Sequence, residues 1–215
     1  MNASPSRATA GLAGAVAVPD SKKSHGLQAL VSSFEAGRPL YVLDFGGPIQ
    51  ENINFITDPV NGAGHRLYVD HLLHSYEYFF SAKEQEEAVF QPGRIEEFIA
   101  TALDFPDQSA DVILIWDRLQ FLPPQVSEAV VERLHRILAP DSFVLALFRT
   151  DSSGADRAPY VCRILDGHTL QLREQPPLRH VQTFSPRTIQ KLFQSYREVK
   201  FFVSRESLQE VLIKR

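Results

Sequence analysis

Apolar positions along the chain follow two patterns, short unbroken runs and residues spaced three or four apart. The first helical pattern has the spacing i, i+3, i+4, i+7 and comprises Leu27, Leu30, Val31 and Phe34. Gly37 and Pro39 end this predicted helix. The next run, residues 40–45 (LYVLDF), is short, apolar and followed by glycines, which predicts a buried strand.

The same two patterns continue along the chain. Apolar runs predict further strands at residues 66–73, 111–116 and 142–149. Spaced apolar residues predict helices at 50–56, 75–90 and 123–138, with loops at 58–64 and 150–158. Residues 95–103 fit either a helix or a helix that runs into a strand, and residues 160–173 predict a hairpin that turns at Asp166-Gly167.

The end of the chain predicts one more helix and a closing pair of strands. Ser185 and Pro186 are residues typical of the N-cap and the first helical position. Residues 199–203 and 208–213 are strand-like and would pair as a hairpin. Buried strands that alternate with amphipathic helices predict an α/β fold, a Rossmann-like three-layer sandwich with a mostly parallel sheet.

Composition places this fold in one domain. Of 215 residues 44% are hydrophobic and 22% charged, which excludes disorder for most of the chain. We expect a flexible tail over residues 1–22 and a single domain over residues 23–215. The small residues at 8–18 imitate a signal-peptide cleavage site, but one Leu and no Ile or Phe make a poor apolar region. No apolar run reaches the ~18 residues of a membrane span, so we expect no membrane partner.

The charge balance and the single cysteine indicate which binding partners and which cellular compartment to expect. The chain has 22 Lys and Arg against 26 Asp and Glu, a balance that argues against nucleic acid as the main partner. Cys162 is the only cysteine, so no internal disulfide can form and a reducing, cytoplasmic location is expected. Its strand-like neighbours favour packing over a role as a nucleophile.

Candidate chemistry lies just after the predicted strands, because ligands of such sheets bind outside the carboxyl ends of the strands. Asp44, Gly46 and Gly47 follow the first strand, where glycine lets the backbone approach a ligand. A tight turn would use the same glycines. Asp70 ends the second strand 26 residues later, in place to accept hydrogen bonds from a ribose or to cap a turn.

The third strand and a histidine pair add further candidates. Asp117 and Arg118 follow Trp116 and would face the reactive end of a ligand; a core position for Trp116 and an ion pair for Arg118 are the alternatives. His71 and His74 could share a metal if their segment were helical. A strand end is the expected setting, and we predict no metal.

Three segments resemble the class I S-adenosylmethionine-dependent methyltransferases. VLDFGGPIQ (42–50) resembles the first motif of that family, an acid followed by a D-x-G-x-G-x-G loop. LYVDHL (67–72) resembles the second strand, whose terminal acid holds the ribose, and residues 103–148 resemble the stretch through the fourth and fifth strands. The resemblance covers roughly residues 25–215 and implies a seven-stranded sheet whose last strand is antiparallel.

The resemblance implies S-adenosylmethionine as the cofactor and assigns roles to residues. The residues that it places on the cofactor are Asp44, Gly46, Gly47, Asp70 and Trp116. The candidates at the reactive end are Asp117, Arg118 and His71. Only Gly46 keeps its place among the three motif glycines; Pro48 and Gln50 stand at the other two, where proline lacks an N–H donor and glutamine adds bulk.

Two functions of different classes follow. The first is a methyltransferase acting on a small-molecule or protein acceptor. The second, prompted by the altered glycine motif, is a catalytically inactive methyltransferase-like scaffold that binds a protein partner or a second copy of itself. A nicotinamide-dependent oxidoreductase is disfavoured because the G-x-G-x-x-G spacing is absent and the last strand comes from a hairpin.

Overall fold

The computed structural model describes residues 21–33, 38–58, 64–150, 156–176, 178–179, 182–202 and 208–215. The predicted tail, 1–22, lies outside these residues except for its last two. The helices are α1 (His25–Ser32), α2 (Gln50–Thr57), α3 (Leu72–Phe79), α4 (Ala82–Glu87), α5 (Arg94–Ala102), α6 (Pro124–Ile137) and α7 (Pro186–Leu192), with a 3₁₀ turn at Arg118–Phe121. The strands are β1 (Lys22–Lys23), β2 (Tyr41–Asp44), β3 (Arg66–Val69), β4 (Ala110–Trp116), β5 (Leu138–Arg149), β6 (Asp156–Arg157), β7 (Tyr160–Asp166), β8 (Thr169–Glu174), β9 (Leu178–Arg179), β10 (Glu198–Phe202) and β11 (Leu208–Lys214).

Six of these strands form the main sheet, in the order β10-β11-β5-β4-β2-β3. The four strands from β3 to β5 are parallel. The last strand, β11, runs antiparallel to β5 and to β10, which confirms the predicted closing hairpin. The mostly parallel α/β sandwich is therefore confirmed.

The seven strands that the resemblance implied are not found in this sheet. Between β3 and β4 the chain forms only the helices α3, α4 and α5, so β3 is an edge strand. Only residues 88–93 separate α4 from α5. Ala88 and Gly93, at the two ends of that segment, both have positive φ, so the segment turns and does not extend as a strand.

A second, three-stranded sheet lies beside the main one, with the order β1-β8-β7. Its β7 and β8 are antiparallel and confirm the hairpin predicted for residues 160–173. The hairpin is fixed to α2 by Asn52, whose side-chain amide donates to the Cys162 carbonyl at 2.9 Å and accepts from the Ile164 N–H at 2.7 Å. A separate pair, β6 and β9, includes two residues of the segment predicted as a loop at 150–158.

The core has two parts, one on each face of the main sheet. Successive residues of a strand point to opposite faces, so Leu43 packs in one part and Val42 in the other. In β4, residues 112–116 are at most 2% exposed. A strand that is buried on both faces must be apolar throughout, which explains the unbroken VILIW run.

Two predicted elements have different limits in the structure. The helix predicted over 75–90 is two helices, because Ser81 starts α4 with a capping box to Glu84. The strand predicted over 66–73 ends at Val69, and His71 caps the start of α3 instead. Within the described residues, no helix combines the length and the apolar character that crossing a membrane requires.

A buried carboxylate ties the start of the described chain to its last strand. Glu210 of β11 is 2% exposed. It lies 3.0 Å from the Lys22 ammonium and accepts hydrogen bonds from the Ser24 hydroxyl at 2.8 Å and the Gly26 N–H at 2.7 Å. The Gly26 bond places the negative charge at the N-terminus of α1, where the helix dipole favours it.

We expect Glu210→Gln to lower the free energy of unfolding by about 3–5 kcal/mol, because it removes one partner of a buried ion pair together with the negative charge that the Ser24 hydroxyl and the Gly26 N–H bind. Urea unfolding at neutral pH measures the effect. Asp141→Asn is the control, since the Asp141 carboxylate makes its ion pairs with Arg197 and Lys214 on the surface, and should leave the unfolding midpoint unchanged. Equal midpoints for both variants would contradict this role of Glu210.

Candidate functional site

The carboxyl ends of β2, β3 and β4 meet at one place, as the sequence predicted. The loops after β2 and β3 are joined by an antiparallel bridge between Gly46 and His71. The Gly47 N–H donates to the Asp70 carbonyl at 3.0 Å, and the Asp70 N–H donates to the Asp44 carbonyl at 2.9 Å. The structure therefore brings the predicted cofactor and catalytic residues into one cluster.

Trp116 lies at the centre of this cluster and is fully buried. Its indole Nε1–H donates to Asp44 Oδ1 at 2.7 Å. A Cβ atom added to Gly46 would lie 2.7 Å from Cδ1 and Nε1 of the indole. The tryptophan ring of the protein itself therefore fills the space where a side chain on Gly46 would lie.

The backbone of Trp116 is held in an uncommon conformation. Its φ is +52°, in the left-handed region that bulky side chains avoid. Such a residue costs of order 1–3 kcal/mol and persists only where the surroundings fix it. Here the Asp44 hydrogen bond and complete burial of the ring supply that constraint.

Asp44 is 1% exposed and uses both carboxylate oxygens within the protein. Oδ1 accepts from the Gly46 N–H at 2.8 Å and from the Trp116 indole, and Oδ2 accepts from the Asn52 amide at 3.2 Å. Burial raises the pKa of the Asp44 carboxyl, while these donors and the Arg118 guanidinium lower it. The three donors orient the carboxylate toward the core.

Asp117 and Arg118 form a fully buried ion pair, 2.9 Å between Oδ1 and Nη1. Arg118 Nη2 also donates to the Gly46 carbonyl at 3.0 Å and to the Tyr160 carbonyl at 2.9 Å. The Tyr160 N–H in turn donates to Asp117 Oδ2 at 2.9 Å. Burial raises the pKa of Asp117, and the Arg118 charge opposes that shift. The ion pair therefore binds the first residue of β7 to the loop after β2.

His71 covers the second glycine. A Cβ atom on Gly47, whose φ is +97°, would lie 2.7 Å from His71 Cδ2. His71 Nδ1 accepts from the His74 N–H at 3.2 Å and caps α3. Burial and then the Arg118 charge lower the pKa of this half-buried imidazole. The strand-end setting expected for the pair is wrong, since His74 lies in the first turn of a helix.

Asp70 makes the turn between β3 and α3 and stays partly exposed. Its Oδ1 accepts from the N–H of His71, the next residue, at 2.6 Å.

The rings of His71 and His74 are 6.2 Å apart between centroids. Among the residues that the structure describes, no group of three or more His, Cys, Asp or Glu could hold a metal ion.

The Gly46-Gly47 loop does not present open backbone to S-adenosylmethionine. The indole of Trp116 lies against the position of a Cβ atom on Gly46, and the imidazole of His71 lies against that of a Cβ atom on Gly47. The Gly46 N–H and carbonyl and the Gly47 N–H are all hydrogen-bonded within the protein. A cofactor that bound these backbone groups would have to replace these bonds.

Asn52 and Tyr160 are the two residues of the cluster that sequence reasoning missed. Asn52 lies four residues before Ile56 on the buried side of α2, so a polar residue at an apolar helical position was the available signal. Tyr160 offers no local signal, because its backbone groups and not its ring bind Asp117 and Arg118.

No protein-family model and no curated protein matches this chain. The CurJ carbon methyltransferase is similar in structure, with 11% identity and a TM-score of 0.50 over 86% of this chain and 50% of that chain. A SAM-dependent methyltransferase from Archaeoglobus fulgidus has 14% identity and a TM-score of 0.48, over 88% of this chain and 91% of that one. Human N-acetylserotonin methyltransferase in complex with SAM has 15% identity and a TM-score of 0.47, over 89% and 52%.

The chain has the class I S-adenosylmethionine-dependent methyltransferase fold. It spans half the length of the CurJ structure. At this level of identity the likeness concerns the path of the backbone and not the residues at the strand ends. Whether those residues bind the cofactor depends on the geometry of the cluster itself.

Tryptophan fluorescence tests the closed cluster directly, because Trp116 is the only tryptophan of the chain. We expect native emission that is blue-shifted relative to N-acetyltryptophanamide and resistant to iodide, since the ring is fully buried. The urea-unfolded protein is the control and should be quenched freely. Equal quenching of the native and unfolded protein would show that the ring is open to solvent.

His71 makes stability depend on pH. Its pKa is lowered in the folded state, so the unfolded state binds the proton more readily. The stabilising effect is full above about pH 6.5 and is lost as the pH falls through the folded pKa. We expect His71→Asn, which can still cap α3 but cannot titrate, to lose less unfolding free energy than the wild type between about pH 7.5 and 5.

Urea unfolding at the two pH values measures that difference. His65 and His135 also have lowered pKa values because of burial, and their contribution is common to both proteins. Asp70, His74 and Arg118 are the charged or titratable groups that act on His71. Identical losses in the wild type and His71→Asn would remove His71 as the titrating group.

Proposed function

We propose that this chain is a non-catalytic, methyltransferase-like domain that acts as a protein-binding scaffold. The observation that carries the proposal is the packing of the Trp116 indole against Gly46 inside the cluster. Around it, Asp44, Asp117 and Arg118 are at most 1% exposed. These residues form a polar part of the core, in addition to its two apolar parts.

The energy needed to open the cluster supports this proposal. Cofactor binding would require the Trp116–Asp44 hydrogen bond to break and the Asp117–Arg118 pair to separate from Gly46 and Tyr160. Each hydrogen bond to a charged group is worth about 1.5–3 kcal/mol, and each 1.4 kcal/mol lowers an apparent affinity tenfold. Loss of two such bonds would weaken the affinity by a factor on the order of a hundred to ten thousand.

The roles of the catalytic candidates support the same reading. Methyl transfer requires an acceptor aligned with the methyl group in a dry pocket, and a base only if the acceptor is protonated. Asp117 is bound to Arg118 and to the Tyr160 N–H, and His71 caps α3. These contacts give each candidate a partner within the fold.

Calorimetric titration with S-adenosylmethionine and S-adenosylhomocysteine tests the proposal. We expect no binding heat at millimolar ligand and no change in Trp116 emission. Micromolar binding that Asp70→Ala weakens about tenfold, the effect of one lost hydrogen bond to a charged group, would overturn the proposal. That result would support a methyltransferase with Asp70 on the ribose.

A further inference from the structure

We propose that a groove between α3 and α4 binds a basic, partly apolar peptide segment of a partner protein. This inference rests on the scaffold function proposed above and names the chemistry of the partner. The α3–α4 groove has a volume of about 380 Å³. Leu73, Tyr76, Phe121 and Leu178 form its apolar floor, and Glu77 and Glu86 stand on its rim.

The groove is a fixed feature of the fold. Leu73, Tyr76 and Phe121 are core residues, 1%, 5% and 4% exposed. Gln85 holds α4 against α3, because its side-chain amide donates to the Glu77 carbonyl at 3.1 Å and the Phe80 carbonyl at 2.6 Å. A peptide would therefore meet walls that are already in place, which lowers the entropic cost of binding.

The charge of the helices around the groove indicates which kind of peptide it would bind. The helical segment 72–102 contains six glutamates against Lys83 and Arg94, an excess of four negative charges, which equals the net charge of the whole 215-residue chain. Arg94 is already paired with Glu84 at 3.6 Å and Glu97 at 3.0 Å. The segment therefore carries an excess of negative charge, and its Glu77 and Glu86 line the groove, which favours a cationic ligand over a phosphate group.

Exposed apolar side chains on the same unit indicate a protein partner. Tyr78 of α3 is 89% exposed and Val89, just after α4, is 66% exposed. These are the largest exposures among large hydrophobic residues in the described part of the chain. Tyrosine is enriched at protein interfaces because it combines an apolar ring with a polar end.

A lysine or arginine side chain has the shape that this groove requires. Its methylene groups would lie on the floor formed by Leu73, Tyr76 and Phe121, and its cation would lie between Glu77 and Glu86. Neighbouring apolar residues of the same peptide would cover Tyr78 and Val89. The occupant is thus a short segment in which basic and apolar residues alternate.

Nuclear magnetic resonance titration of the full chain tests this site. The probe is the blocked tetrapeptide acetyl-Leu-Arg-Leu-Arg-amide, with acetyl-Leu-Glu-Leu-Glu-amide as its control. We expect saturable shifts of the amides of residues 73–77, 82–86 and 121 with the basic peptide, weakened by added salt. The acidic peptide should cause no shift.

Paired charge variants separate the groove from general attraction. We expect Glu77→Gln with Glu86→Gln to weaken binding at least about tenfold, because two charge-assisted contacts are lost. Glu87→Gln with Glu96→Gln removes the same charge from the same helical segment outside the groove and should change affinity less than about twofold. Equal weakening by both pairs, or shifts elsewhere, would overturn the proposal.

Two further outcomes keep this test apart from that of the proposed function. Absence of peptide shifts in a protein that also fails to bind S-adenosylhomocysteine would overturn the groove and leave the scaffold proposal standing. Shifts of the same amides on changing protein concentration without peptide would assign the groove to a second copy of the chain and overturn the peptide proposal.

Discussion

The hydrogen bond between the Trp116 indole and Asp44 is the contact on which the carboxyl edge of the sheet depends. It joins the ends of two neighbouring parallel strands, β2 and β4, in a place with no access to water. Asp44 also receives the Gly46 N–H and the Asn52 amide, so the strand, the loop and α2 all converge on one carboxylate. A buried Asp44 carboxylate without these donors would cost free energy. The three donors must therefore be in place together.

The same cluster shows how residues suited to catalysis can serve a fold. An aspartate, an arginine and a histidine at strand ends are typical of active sites, yet each is bound here by backbone groups or by its neighbours. Arg118 joins the Gly46 loop to β7, and Asn52 joins α2 to the next residues of β7. The buried polar network thus attaches the β7–β8 hairpin to α2 and to the Gly46 loop.

Much of the architecture could be predicted from the sequence, because a strand buried on both faces, such as β4, must be a continuous apolar run. The rule that carboxyl ends of parallel strands meet also predicted which residues would gather. Side-chain direction could not be predicted: Gly46 makes room either for a ligand or for Trp116, and that choice depends on a residue 70 positions away. The break between α3 and α4 was predictable from the Ser81 capping box. The seven-stranded sheet, in contrast, was expected only from the family resemblance.

The pairing of Lys22 with Glu210 sets the order in which a growing chain can reach its native state. These partners are 188 positions apart, and β1 also pairs with β8 from the middle of the chain. Contacts of such long sequence separation form slowly, and β11 is synthesised after every other described strand. The contact between Lys22 and Glu210 can therefore form only after synthesis has passed residue 210.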